Sequence, residues 1–281
     1  MTAPLVSIIV PTRNSAAYLE GCLQSVLGQS YQNIELVVVD NNSHDNTKNI
    51  ALRYTDKVFD RGPERSAQRN FGSSQSKGTL LLIIDSDMVL SNDVVKACVT
   101  QYGQEHYKAI VIPEESFGEG FWARCKKLER SFYLGIDWME AARFFERNVF
   151  EEIGGYNERN TGTEDYDLPQ RIEYTYGRTS IGRVSSLIYH NEQQLTLLHS
   201  CKKKYYYAQK LNIYKTEEAN QHKLSQQSSP LRRYGLFLSH PYQLFREPLI
   251  GIGMLYMKTC ELAAASLGYL KGKFTSSSNT V

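Results

Sequence analysis

No run of roughly 20 uninterrupted apolar residues occurs in the 281-residue chain, so no membrane-spanning helix is expected. The longest candidate, Pro248 to Leu270, is broken by Lys258 and Glu261. Cysteine is sparse: Cys22, Cys98, Cys125, Cys201 and Cys260 are odd in number, widely spaced and without a CxxC pair. That usage suits a reduced cytoplasmic chain with small buried thiols better than a disulfide framework. An excess of charge of one sign is also lacking. Lys+Arg 32 against Asp+Glu 30 leaves a net charge of +2, too balanced for a protein that coats nucleic acid, so any anion site must be local. The opening Met-Thr-Ala-Pro and the short apolar run Leu5 to Val10 have neither a basic leader nor a signal-length apolar region, so no targeting segment is expected. Glycine is missing from the turn after that run, which reads Pro11-Thr-Arg-Asn14. Neither the GxGxxG turn of dinucleotide dehydrogenases nor the GxxxxGK(S/T) loop of NTPases is present, and a sugar nucleotidyltransferase would also need a glycine-rich loop there.

What is present is ordinary globular material, 41% hydrophobic and 22% charged, enough for a sizeable core. Val6 to Val10 reads as a buried strand. Leu19, Cys22, Leu23, Val26 and Leu27 mark one helix face. Ile34 to Val39, a weak strand near Val58 and the fully apolar Leu80 to Ile84 alternate with helices over Asp45 to Tyr54 and Ser66 to Ser76. Strand–helix alternation with fully apolar strands predicts an α/β fold with a mainly parallel, Rossmann-like sheet covered on both faces. Further helical patterns cover Asn92 to Tyr102, Phe121 to Leu134 and Ala141 to Phe150. The polar stretch 216–230 reads as a linker, 231–274 as a helical extension, and 275–281 as a disordered tail.

Ligands of such sheets bind beyond the carboxyl ends of the strands. Those ends carry Thr12-Arg-Asn14, Asp40-Asn-Asn-Ser43 and Asp85-Ser-Asp87. Strand alternation would point Asp85 and Asp87 the same way, and two adjacent carboxylates repel unless a cation joins them. Their hard oxygens suit Mg²⁺ or Mn²⁺, which in turn bind a diphosphate. Asp40 could accept from a base N–H, or simply close an Asx turn. Glu164-Asp165-Tyr-Asp-Leu168 opens a helix, where acids complement the dipole or supply a general base for a sugar hydroxyl. His190 beside carboxylates suits Mn²⁺, or is a surface histidine. Lys202 to Lys204, followed by Tyr205 to Tyr207, could face a diphosphate, phospholipid headgroups or solvent.

In combination these segments resemble a family 2 glycosyltransferase of GT-A fold. The carriers are Val6-Ser-Ile-Ile-Val-Pro-Thr-Arg-Asn14, Gln29-Ser-Tyr31 and Ile34 to Ser43. They continue with Arg69-Asn70 ahead of Gly78, Asp85-Ser-Asp87, Arg143-Phe144, Gly154-Gly155-Tyr156 and Glu164 to Leu168. The resemblance spans about residues 5–215. It implies a nucleotide-sugar-binding half over 1–115 and an acceptor half over 116–215. It implies inverting transfer from a nucleotide diphosphate sugar, UDP first, to a glycan or lipid-linked acceptor in cell-surface polysaccharide or glycolipid synthesis. By the same resemblance, Asp165 is the base with Glu164 beside it. Pro11, Thr12, Arg13, Asp40, Arg65, Arg69, Asp85 and Lys204 bind the donor. Asp87, Asp85 and His190 hold Mn²⁺ or Mg²⁺. The alternatives are an inactive GT-A-like assembly partner at a membrane, or a sugar nucleotidyltransferase.

The C-terminal extension lies outside that resemblance. Arg232-Arg233, Arg246, Lys258, Lys271 and Lys273 flank apolar stretches such as Leu249 to Met257. That suits a helix lying in an anionic membrane surface on the cytoplasmic side, whereas Ala263-Ala-Ala265 suits packing on the catalytic domain or a second subunit of a homo-oligomer.

Overall fold

All seven residues of the first strand are buried, and its neighbours alternate cleanly between two apolar layers. The computed structural model describes residues 3–277. In chain order these form β1 (Val6–Thr12), α1 (Leu19–Leu27), β2 (Ile34–Asp40), α2 (Thr47–Ala51), β3 (Val58–Asp60), α3 (Arg65–Gln75), β4 (Leu80–Ile83) and β5 (Met88–Leu90). Then come α4 (Val94–Glu105), β6 (Ala109–Val111), β7 (Glu114–Phe117), α5 (Gly120–Ser131), β8 (Ala142–Glu146), α6 (Arg147–Glu152), α7 (Glu164–Tyr176), β9 (Ile181–Arg183) and β10 (Ile188–Asn191). The chain ends in α8 (Leu197–Ala208), α9 (Leu211–Thr216), α10 (Gln221–Gln227), α11 (Pro230–Leu238), α12 (Pro241–Phe245) and α13 (Pro248–Ser277).

The chain divides into two units. The first holds residues up to Glu114, Ala141–Glu158 and Glu164–Asn191; the second holds Glu115–Glu140, Arg159–Thr163 and the chain from Glu192. The units are interleaved in sequence; within the second, α5 packs against the distant α13.

The first unit carries a seven-stranded sheet in the order β3-β2-β1-β4-β8-β6-β9. β1 runs parallel to β2 and β4, and β2 to β3. β8 enters antiparallel between β4 and β6, pairing Leu81 with Phe145. Ala141 to Phe150, expected as a helix, is thus this strand followed by the short α6. Phe144 and Phe145 fill opposite layers, and that two-sided burial decides for strand. Ile8 and Val10 face one layer with Leu23 and Val26 of α1; Ile9 faces the other with Val37 and Ile83. Each such buried side chain stabilises by about 1.5–3 kcal/mol.

The second unit is helical. Cys125, Phe132, Phe237, Leu244, Ile250, Met254 and Met257 form its apolar core. Residues 216–230, expected as a linker, are largely helical, with a 3₁₀ turn at Glu218–Asn220 ahead of α10. The front of the expected helical extension breaks into α11 and α12, with Pro241 opening the second. α13 continues to Ser277, so the first three residues of the expected disordered tail are helical, and 278–281 lie outside the described residues. α13 packs along α8. A Cβ on Gly268 would fall 2.1 Å from the Tyr205 carbonyl oxygen, so this glycine sets the approach.

Candidate functional site

The site grows from α3, a helix whose inner face is polar: Ser66, Gln68, Arg69 and Ser73 are all buried. Arg69 is fully buried, with one guanidinium nitrogen 2.6 Å from Asp85 Oδ1 and the other 2.8 Å from Asp165 Oδ1. Its face lies 4.9 Å from the Tyr156 ring centroid, within cation–π range. One turn earlier, Arg65 reaches Glu164 Oε1 at 2.7 Å and Asp85 Oδ2 at 3.8 Å. Arg143 on β8 pairs with Glu114 at 2.5 Å and approaches Asp165 Oδ2 at 3.6 Å. Burial alone would raise the Asp85 carboxyl; Arg69, Arg65 and Arg143 outweigh it and hold it well below the usual carboxylate range. Burial pushes the Tyr156 phenol up.

Asp85-Ser86-Asp87 is a turn between β4 and β5, closed by Met88 N–H donating to the Asp85 carbonyl at 3.0 Å. Strand alternation does not run through a turn, so the expectation that both carboxylates point one way does not apply. Asp85 turns to the arginines. Asp87 Oδ2 lies 3.6 Å from His190 Nε2, on β10 beside β5. The Asn191 N–H holds the Asp87 carbonyl at 2.8 Å. Among the described residues no three His, Cys, Asp or Glu gather as a metal cluster. The expected set of Asp85, Asp87 and His190 is therefore split, with Asp85 committed to arginine.

Asp87 and His190 nevertheless fit a hard divalent ion. Asp87 Oδ1 is buried without a hydrogen-bond partner among the described residues. One or two protein ligands suffice where substrate phosphates complete the shell. Thr12 Oγ1, Arg69 Nε, Arg143 Nη1 and the Tyr156 hydroxyl are also buried without such a partner. Native interiors hold few orphaned polar atoms, and each asks for an explanation.

Asp40, at the carboxyl end of β2, accepts from the Ser43 N–H at 2.8 Å and from the Ser43 hydroxyl at 2.5 Å. Both bonds come from the third residue on rather than the second that an Asx turn would use, and they fix the carboxylate at the strand end. Pro11 and Thr12 are buried at the end of β1, while Arg13 is exposed beyond it. Glu164 is buried under Arg65. Asp165 is a quarter exposed. Lys204 lies in the second unit beside Lys126, Glu129, Lys258 and Glu261, where burial, then Lys126, pushes its ammonium down to about 7.

Two supporting residues escaped the sequence reading. Gln68 donates to the Thr12 carbonyl at 3.0 Å and to the Val39 carbonyl at 2.6 Å, tying the ends of β1 and β2. Glu114 orients Arg143. The available signal was the shortage of apolar residues on α3. Asn70 clamps Tyr156 from both sides, donating to its carbonyl at 2.9 Å and accepting its N–H at 2.8 Å. Gly155, at φ +66°, permits that clamp: a Cβ there would fall 2.5 Å from Asn70 Oδ1.

A parallel-sheet α/β unit with acids at its strand ends and a buried arginine–carboxylate cluster is the frame of a GT-A protein. The family model for glycosyl transferase family 2 matches residues 7–186, and the chain belongs to that family. A PGL/p-HBAD biosynthesis glycosyltransferase of Mycobacterium bovis is 31% identical over 181 residues, 60% of this chain and 69% of that protein. An uncharacterized glycosyltransferase of Haemophilus influenzae is 36% identical over 115 residues, 38% of this chain and 45% of its relative, so the match spans less than half of that protein. Among solved structures, the mannosyltransferase PcManGT from Pyrobaculum calidifontis, in complex with GDP-Man and Mn²⁺, has a TM-score of 0.63 at 17% identity, covering 96% of this chain and 88% of that one. TarS 1-349 of S. aureus with UDP-GlcNAc has a TM-score of 0.53 at 17% identity, covering 96% and 92%. These likenesses establish the GT-A fold.

Proposed function

We propose that the protein is an inverting glycosyltransferase that moves a sugar from a nucleotide diphosphate donor, UDP-sugar first, to a glycan or lipid-linked acceptor in cell-surface polysaccharide or glycolipid synthesis. The observation that carries this reading is the Arg69 bridge, which ties Asp85 at the end of β4 to Asp165 at the start of α7. Donor-side and acceptor-side carboxylates are thereby held on one rigid guanidinium. The buried polar atoms left over at Thr12, Asp87 and Tyr156 support a polar ligand at these strand ends. The fold neighbours with GDP-Man and UDP-GlcNAc support a nucleotide-sugar donor.

In this reading Asp165 Oδ1 is anchored on Arg69, and Oδ2, which Arg143 approaches only at 3.6 Å, accepts the proton of the acceptor hydroxyl. The hydroxyl oxygen forms a bond to the anomeric carbon from the face opposite the diphosphate. The bond to the diphosphate oxygen breaks, and the electron pair leaves with the nucleotide. One carboxylate serves a single displacement, so the configuration inverts. Glu164 positions Arg65 and is too buried to meet the acceptor. Asp40, fixed by Ser43, faces the base, and Asp85 the ribose. Asp87 and His190 would hold Mn²⁺ or Mg²⁺, whose charge offsets that of the departing diphosphate. A lipid-linked acceptor would require the chain to sit at the inner face of a membrane.

A panel of nucleotide sugars incubated with Mn²⁺ and assayed for released nucleotide tests the reading. Metal-dependent release from one donor supports it. Release from none, with or without added glycan and lipid-linked acceptors, favours the inactive assembly partner.

A further inference from the structure

α13 is built inside out. Its only charges between Leu249 and Leu270, Lys258 and Glu261, are buried. Lys258 Nζ lies 2.6 Å from Glu261 Oε2 and also pairs with Glu129, while Lys126 lies 2.8 Å from Glu129 Oε2. Ser200 donates to Glu261. A helix turning every 3.6 residues sets Ile250, Met254, Met257 and Glu261 on this inner face. Opposite them fall Leu249, Ile252, Tyr256, Leu267 and Leu270, all between 50% and 77% exposed. Tyr242 and Phe245 on the separate helix α12 are also exposed, 84% and 45%. An ordinary surface helix turns its charges out and its leucines in. Here the charges are satisfied inside, at the desolvation cost of two buried ion pairs, and among the described residues an apolar stripe stays exposed on either side of Thr259, where the Tyr234 hydroxyl of α11 donates or accepts at 2.6 Å.

We propose that this stripe is the surface by which the protein lies on an anionic phospholipid bilayer. This deepens the lipid-linked-acceptor reading proposed above and rests on it. Among the described residues no helix is long and apolar enough to cross a membrane, so the stripe lies along the surface. Charge decides the occupant. Exposed Arg246 precedes Leu249, and exposed Lys271, whose ammonium also lies 5.8 Å from the Tyr205 ring centroid, and Lys273 follow Leu270. The one exposed acid in that span, Glu247, is paired with Arg124. A second copy docked stripe to stripe would meet cation with cation in the parallel and in the antiparallel arrangement. Anionic headgroups attract the positive charge at both ends at once, while the leucines, Ile252 and Tyr256 enter the acyl boundary.

Co-sedimentation with vesicles of phosphatidylcholine, alone or mixed with phosphatidylglycerol, tests this on the full chain. The intact protein should pellet with the anionic vesicles, less as salt rises, and little with neutral ones. Ile252→Glu combined with Leu267→Glu should weaken that binding about tenfold or more. Leu249→Gln is a milder second variant should the first fail to fold, and its loss should be smaller but in the same direction. Failure of the intact protein to bind, or equal pelleting of intact and variant chains, overturns the proposal. A dimer in sedimentation velocity that the same substitutions dissociate, without vesicle binding, assigns the stripe to a second copy and also overturns it. Nucleotide release from a soluble donor is read in parallel: vesicle binding lost with release intact is the expected pattern for the variant, whereas binding without release in the intact chain fails the transferase reading alone.

Discussion

Arg69 and Asp85 are joined at 2.6 Å with the guanidinium wholly buried, and the same guanidinium holds Asp165 at 2.8 Å. Removing it would strand a buried carboxylate. Loss of one partner of a buried pair typically costs about 3–5 kcal/mol. Arg69→Met should therefore lower the midpoint of thermal unfolding and abolish nucleotide release. Arg69→Lys, which can reach one carboxylate but not bridge two, should recover much of the stability and little of the turnover. Thermal melts beside release assays check this; a fully active Arg69→Lys would show that the bridge is dispensable.

Asp165→Asn should keep the Arg69 contact, since an amide oxygen still accepts. It cannot take a proton. Turnover should fall by about 10²–10⁴-fold, while donor affinity by calorimetry changes far less. Equal losses in both would make Asp165 a donor-binding residue.

Asp87→Ala should remove the divalent-ion dependence of donor binding and the activity with it, leaving the melting curve of the metal-free protein nearly unchanged. Calorimetric titration of Mn²⁺ in the presence of nucleotide diphosphate gives the direct reading. Unaltered Mn²⁺ affinity in the variant would move the metal site elsewhere.

Acid stability should report Glu35, on β2. Burial alone would raise its carboxyl, but Lys57, the Ser7 hydroxyl and the N–H groups of Lys77 and Gly78 hold it down at about 2. A carboxyl lowered on folding contributes stability above its unfolded value near 4.3, and that contribution fades as pH falls towards 2. Glu35→Gln should cost about 2 kcal/mol at pH 7, with the gap to the parent closing between roughly pH 5 and pH 2. Chemical denaturation at several pH values measures it; a gap independent of pH would mean that ionisation of Glu35 is not its source.

The parallel core was legible because β1, β2 and β4 are apolar on both faces, a pattern that little else produces. β8 was not, because Ala-Arg-Phe-Phe-Glu has no clean period and becomes a strand only through β4 and β6 on either side. The acids were legible by place, at strand ends and a helix start. Their partners were not: Arg69 meets Asp85 and Asp165 across 16 and 96 residues of sequence. α13 shows the limit most plainly. Lys258 and Glu261 interrupt an apolar run in the sequence, where Lys258 counts among the basic residues suited to an anionic surface. Only the Lys126 and Glu129 pair on α5 reveals that they point inward.

The central claim is single-displacement transfer with Asp165 as base. Proton NMR of the first-formed product, with the accepted donor and acceptor and Mn²⁺ present, tests it most directly. The account predicts an anomeric configuration opposite to that of the donor, formed from the earliest time points. Retention of the donor's configuration would require a nucleophile that the account does not contain, and would contradict it.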